Sequence, residues 1–208
     1  MVRREPGALA RDTPRGDRQY ARVTDERPHS DGRVLDRADW FRFVGRTCGT
    51  EGEHRHGFVL MFDIQWLILV NDALGHLAGD DLCRAVADRL LAAAPAGTAL
   101  GRLSGEEYAM RAPCESLDEA ERLAASLVSV VQSPVMVRTH VRDGGDVVVV
   151  PLTPRMSWGV SDCSRVDSAD ARDCVLAADD DRVRRSTPGR PSMEQCRRAI
   201  AEETGVVL

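Results

Sequence analysis

Phe58-Val59-Leu60-Met61-Phe62-Asp63-Ile64 is the stretch on which the fold turns. An apolar run of this length has the composition of a buried strand, and it stops abruptly on a carboxylate, Asp63. Further along, a second strand beginning at Ala99 runs into Arg102-Leu103-Ser104-Gly105-Glu106-Glu107-Tyr108, where a Ser-Gly turn is followed at once by two adjacent glutamates. A hairpin with Gly105 in its loop places Glu106 and Glu107 at the tip. Paired strands lie only about 4.8 Å apart, so a hairpin docked beside the first strand brings Asp63 and Glu106 within reach of one divalent cation. Between the two stretches, residues 66–74 read as helix carrying Asn71. A second helix is expected to start near Gly79 and run to Ala93, with Leu82, Val86, Leu90 and Leu91 facing inward.

In this order and spacing, Asp63-Ile64, Asn71-Asp72, Gly75-His76-Leu77-Ala78-Gly79-Asp80 and Arg102 to Tyr108 resemble a GGDEF domain of the diguanylate cyclase family. Ser104-Gly105-Glu106-Glu107-Tyr108 stands as a degenerate signature. Ser157-Trp158-Gly159-Val160-Ser161 resembles the family's late strand, and Ala178-Asp179 with Gly189-Arg190 its closing helix and turn. Upstream, Asp25 to Gly32-Arg33 keeps the spacing of the family's opening and almost none of its letters.

The resemblance implies an α+β domain, a palm-like, ferredoxin-related sheet with helices packed against it. It implies that two GTP molecules are joined into cyclic di-GMP by a homodimer, each ribose 3′-hydroxyl attacking the other's α-phosphate. Such a displacement builds negative charge on phosphoryl oxygens, which paired carboxylates holding Mg2+ or Mn2+ offset. Asp63 and Glu106 match the family's metal ligands, with the Ile64 carbonyl as backbone ligand. Glu107 matches the second acidic position, beside the metal or the ribose hydroxyl. Asn71 and Asp80 match the guanine readers; a carboxylate accepts from N1–H and the amino group, which separates guanine from adenine. Arg102, Ser104, Gly105 and Arg190 complete the implied substrate contacts.

Departures from the pattern fall on the phosphate grip. The chain contains no lysine; Ile68 occupies one phosphate-lysine position and Ser186 aligns with the other. Arg184 or Arg185 are candidates to compensate. The inhibitory R-x-x-D of many family members falls at Pro95 and Thr98, so product feedback through it is expected to be absent. Trp66-Leu67-Ile68-Leu69, apolar where the family is charged, reads as a surface for a protein partner. Two further readings therefore stand beside the cyclase: a catalytically silent guanine-nucleotide-binding signalling module, and a cyclase with a different cyclic product.

Residues 1–30, rich in Arg, Asp, Pro and Gly with few apolar anchors, read as disordered rather than as the sensory or dimerising domain usual ahead of this unit. Residues 31–190 form the domain and 191–208 a helical extension. Helices are expected over 34–44, over 116–131 with a capping box from Ser116 and Glu119, over 168–183 and over 193–203. Strands are expected over 135–141, Val147–Leu152 and 155–160. The charge of −5 at pH 7 argues against nucleic acid, and no apolar run is long enough for a bilayer or a signal peptide. A cytoplasmic location is expected. Six scattered cysteines with no C-x-x-C pair read as reduced thiols, and His54-Arg55-His56 as a solvated loop.

Overall fold

Phe58–Ile64 forms strand β1, whose apolar side chains are buried on both faces. The computed structural model describes residues 34–48, 57–140, 146–165, 171–186 and 191–206. The expectations for residues 1–30, for the 25–33 opening, for His54-Arg55-His56 and for Gly189-Arg190 lie outside the described residues.

On one side β1 pairs antiparallel with β3 (Glu107–Ala112), and on the other with β6 (Met156–Asp162). β2 (Ala99–Arg102) flanks β3, giving the order β2-β3-β1-β6. β4 (Val135–His140) and β5 (Val147–Leu152) form a separate two-stranded sheet. The helices are α1 (Arg37–Cys48), α2 (Leu67–Leu74), α3 (His76–Ala93), α4 (Leu117–Val131), α5 (Ala171–Ser186) and α6 (Met193–Thr204).

The period of two along β1 assigns its residues to two cores. Phe58, Leu60, Phe62 and Ile64 pack with side chains of α2, α3 and α4. Val59 and Met61 face Trp40 and Val44 of α1 and Ala171, Cys174 and Ala178 of α5. Asp63 continues this second row at the strand's end, so it meets α5. This is the expected α+β sheet with helices against it. Among the described residues no helix is long and apolar enough to cross a membrane.

Several local expectations are corrected. Helix α3 starts at His76, not near Gly79, so Asp80 lies a turn inside it. Ser116 does cap α4, accepting from the Glu119 N–H at 3.2 Å, but the Glu119 carboxylate accepts from the N–H of Glu115 rather than of Ser116. The reciprocal capping box belongs to α6, between Ser192 and Gln195. β6 reaches Asp162 and α5 reaches Ser186, both beyond the expected ends.

The 191–208 segment is no appendage over its described part: Cys196 and Ile200 of α6 are buried in the same core as β1. Of the Trp66-Leu67-Ile68-Leu69 stretch, Leu67 and Leu69 are buried within the chain, and Trp66 is stacked by the Arg155 guanidinium 4.7 Å from its ring centre. Ile68 alone of the four is widely exposed, at 67%, so the partner-surface reading shrinks to one side chain. None of the five cysteines whose side chains are described is in a disulfide.

Candidate nucleotide and metal site

The cross-strand register assembles the acidic cluster. Glu107, Asp63 and Ser157 are mutual partners across β3, β1 and β6, so their side chains leave the same face of the sheet in one row. Glu106 sits in the loop just before β3, where its carbonyl accepts from the Ile64 N–H at 2.9 Å. That bond fixes the hairpin tip to the end of β1. Of the two glutamates expected at the tip, Glu106 occupies the loop and Glu107 opens the strand.

The loop is braced from within. Arg102 donates to the carbonyls of Ser104 at 3.2 Å and Gly105 at 2.6 Å and lies over the Tyr108 ring. Tyr108 is buried and its hydroxyl donates to the Cys83 carbonyl of α3 at 3.0 Å. Arg102 is thus engaged in shaping the signature loop. Ser104 and Gly105 are exposed, and Gly105 has open space where a Cβ would stand. Nothing in the loop geometry demands glycine there.

Asp63, Ile64 and Glu106 share one cleft of about 470 Å³ with Gln65 to Leu69 of the α2 entry, Arg182, Val183 and Ser186 of α5, and Pro191, Met193 and Cys196 of the α6 entry. Ile68 and Ser186, the two positions read as lost lysines, are both on its wall. At the mouth Trp66 takes a left-handed backbone, φ 69°, as the residue preceding α2. A non-glycine residue held there costs on the order of 1 kcal/mol, and such strain concentrates at functional sites.

Burial raises the Asp63 carboxyl to about 6; the Arg182 guanidinium opposes the rise, while Glu106, Glu107 and Asp179 add to it. A half-buried carboxylate among other carboxylates is a site short of positive charge. Among the described residues no three His, Cys, Asp or Glu side chains form a ready metal cage. Two carboxylates and a carbonyl suit Mg2+, which commonly takes one or two carboxylates and fills its octahedron with water and substrate phosphate. The donor set fits that ion.

The guanine pair lies elsewhere on α2 and α3, and neither residue lines the cleft. Asp80 is exposed. The Asn71 Oδ1 is buried without a hydrogen-bond partner, directly against Gly79: a Cβ added at 79 would fall 1.9 Å from it. Gly79 therefore makes the room in which the Asn71 amide sits.

Sequence reasoning missed Arg182. Its Nη1 stands 3.6 Å from Asp63 Oδ1 and donates to Ser157 Oγ at 3.2 Å, while Nε and Nη2 each lie 2.7 Å from Asp179 Oδ1. Arg184 and Arg185, the candidates named for the phosphate grip, are turned away. Arg184 pairs with Asp181, and Arg185 is bound to Asp181 and Glu121 and stacked on Trp158. The absence of lysine was the signal for another cation, but the pitch of α5 relative to Asp63 is invisible in the chain.

Comparison with known proteins bears on the family. The model of the diguanylate cyclase, GGDEF domain matches residues 36–181. The diguanylate cyclase VdcA of Vibrio cholerae is 41% identical over 69 residues, which is 33% of this chain and 20% of that protein. The chain thus spans a fifth or less of the first curated relatives it matches. Among solved structures, the GGDEF domain of PA1120 from Pseudomonas aeruginosa superposes with a TM-score of 0.62 at 23% identity, over 75% of this chain and 93% of that one. A sensory box/GGDEF family protein from Caulobacter crescentus gives 0.61 at 26% identity, over 75% and 95%. With that family model covering residues 36–181 of 208, the chain belongs to the diguanylate cyclase, GGDEF domain family.

Proposed function

We propose that this domain binds GTP with Mg2+ or Mn2+ and, as a homodimer presenting one nucleotide from each half, condenses two GTP into cyclic di-GMP. The observation that carries the reading is the convergence of Asp63, the Ile64 backbone and Glu106 on one cleft. A bound divalent ion supplies charge neutralisation for the triphosphate and for the α-phosphate as it is attacked. The chain's own residues do the rest. Asp63 and Glu106 hold the ion, Glu107 accepts the proton of the ribose 3′-hydroxyl, and the strand ends fix the α-phosphate. In each half a 3′-oxygen–phosphorus bond forms and the bond from that α-phosphorus to the oxygen bridging the β-phosphate breaks, so the two steps close the ring and two pyrophosphates leave. Incubating the purified chain with GTP and each metal and resolving products by mass spectrometry tests this. Cyclic di-GMP and pyrophosphate are expected; intact GTP would leave the binding module, and another cyclic nucleotide the altered cyclase.

Asn71 and Asp80 read guanine in this proposal, the orphaned Asn71 Oδ1 taking a donor of the base. Gly79→Ala tests it. The new methyl overlaps the end of the Asn71 side chain, which must swing out, and presses on the tip of Leu67, which has to give by a few tenths of an ångström, while alanine favours the helix by about 1 kcal/mol. Melting temperature should stay within a few degrees. The preference for GTP over ATP should fall by roughly tenfold, since losing a buried partner costs about 1–3 kcal/mol. A variant with selectivity intact would remove Asn71 from the guanine role.

One observation favours the silent module: the cleft wall offers Ile68 and Ser186 where cations are expected. Because Ile68 is exposed rather than core, lysine there buries no charge. The Ile68→Lys, Ser186→Lys double variant should fold with the parent's melting temperature. It should bind GTP about thirtyfold tighter, each ammonium giving roughly 1 kcal/mol after solvent screening. A stable double variant without gain in GTP affinity or turnover would rule out a triphosphate in this cleft. A further protein partner is proposed only for the exposed Ile68 side chain at the cleft mouth.

A further inference from the structure

We propose that Arg182 is a built-in counter-ion of the acidic cleft and competes with a divalent cation for Asp63. The inference rests on the reading of Asp63 as a metal ligand. Arg182 projects from α5 over the row Glu107–Asp63–Ser157, and its side chain is only 15% exposed. Asp179 takes Nε and Nη2 at 2.7 Å and Ser157 takes Nη1 at 3.2 Å, leaving Nη1 aimed at Asp63 Oδ1 from 3.6 Å. The distance is that of an ion pair, longer than a hydrogen bond.

A guanidinium keeps its charge at every accessible pH, so the positive charge beside Asp63 is permanent. A divalent ion arriving at Asp63 would meet that charge at close range, and like charges in a half-buried site repel strongly. Metal binding therefore has to move Nη1 away from Asp63. The fold leaves it somewhere to go: Arg182 lines the same cleft as Glu106, Ile68 and Ser186. A triphosphate placed there would give the displaced guanidinium an anion in a chain without lysine. Neither Arg184 nor Arg185 lines that cleft: Arg185 is held by Asp181 and Glu121, and Arg184 stands exposed beside Asp181. Metal and nucleotide are consequently coupled through one side chain, and metal alone binds more weakly than its donors would allow.

The test is titration of the full chain with Mn2+ alone, read by electron paramagnetic resonance of the free ion. It compares the parent with Arg182→Gln, which removes the charge but keeps an N–H donor near the place of Nε for Asp179, and with Arg182→Lys, which keeps the charge. Arg182→Gln should bind Mn2+ roughly tenfold tighter or more, the factor expected when a close charge is removed, and Arg182→Lys should stay near the parent. Adding Asp63→Asn to Arg182→Gln should abolish the gain. Equal or weaker Mn2+ binding by Arg182→Gln, with the parent's own binding still lost on Asp63→Asn, would overturn the counter-ion role and leave the metal site standing. No Mn2+ bound by any form would overturn the metal reading itself. If Arg182→Gln does not fold, nuclear magnetic resonance of the arginine side chains in the parent decides. Mg2+ should shift the Arg182 guanidinium signal, assigned with Arg182→Lys, and an unmoved signal at saturating Mg2+ overturns the proposal.

Discussion

Asp63→Asn is expected to abolish metal-dependent GTP turnover, by roughly 10³-fold or more, while leaving a folded and somewhat more stable protein. The first half follows from the place of Asp63 where β1, the hairpin tip and the cleft meet. A metal positioned at a reacting phosphate supplies several kcal/mol of transition-state stabilisation, and each 1.36 kcal/mol is about tenfold in rate. The second half follows from the raised carboxyl. Between its ordinary value and about 6 the folded chain holds a proton that the unfolded chain has released. Stability from Asp63 is therefore full at low pH and lost as pH rises through 6. At neutral pH the charged side chain costs the metal-free fold on the order of 2 kcal/mol, which the neutral amide relieves. Thermal melts should show the variant at or above the parent in chelator, and Mg2+ should raise the melting temperature of the parent alone. A variant that melts well below the parent in chelator, or that still turns over GTP, would refute this account of Asp63.

Gly159→Ala is expected to be the most damaging single methyl in the domain. A Cβ at 159 would fall 2.1 Å from the Ala178 carbonyl oxygen, 2.3 Å from the Arg182 nitrogen and 2.8 Å from its Cα. All three are backbone atoms of α5, and the carbonyl and nitrogen are the pair that a regular helix joins four residues apart. No side chain can rotate out of the way, so the helix has to lift off β6 or lose a turn. Overpacking a well-filled interior costs about 1–3 kcal/mol where side chains adapt, and more is expected here because only backbone can yield. A loss of about 3 kcal/mol or more, read as a shift in the denaturation midpoint, is the expected outcome. A change below about 1 kcal/mol would mean that α5 is free to move. Lifting α5 also carries away Arg182 and Ser186, so any surviving folded fraction should bind metal and nucleotide abnormally.

The two substitutions divide what was legible in the chain from what was not. Asp63, Glu106 and Glu107 were legible because a strand that ends on a carboxylate and a turn followed by paired glutamates are local patterns. Their order alone announced an acidic cluster. The buried strand Phe58–Ile64, the hairpin and the run of helices followed from periodicity in the same way, since apolar spacing is a property of neighbours in sequence. Boundaries were less legible. α3 begins at His76 on a glycine with no side-chain cap, and the Glu119 carboxylate chose the Glu115 N–H over that of its N-cap. Such choices lie between conformations that local residue types barely separate.

Only the tertiary structure decided the rest. Gly159 read as a motif letter, and its reason, the passage of the α5 backbone across β6, needs two segments brought together. Leu67 and Leu69 proved to be buried and Ile68 exposed, although all three border the cleft, because the core packs over the two leucines and leaves Ile68 to solvent. Arg182 is the sharpest case. In the sequence it is one arginine among three close neighbours, all equally fit to meet a phosphate. Helix pitch and the register of three strands turn Arg184 and Arg185 toward Asp181 and Glu121 and leave Arg182 over Asp63. The chain by itself set which charges exist and the local elements that carry them; which charges meet was fixed by long-range packing, because a helix turns its neighbours to different faces and the sheet fixes which face is the site.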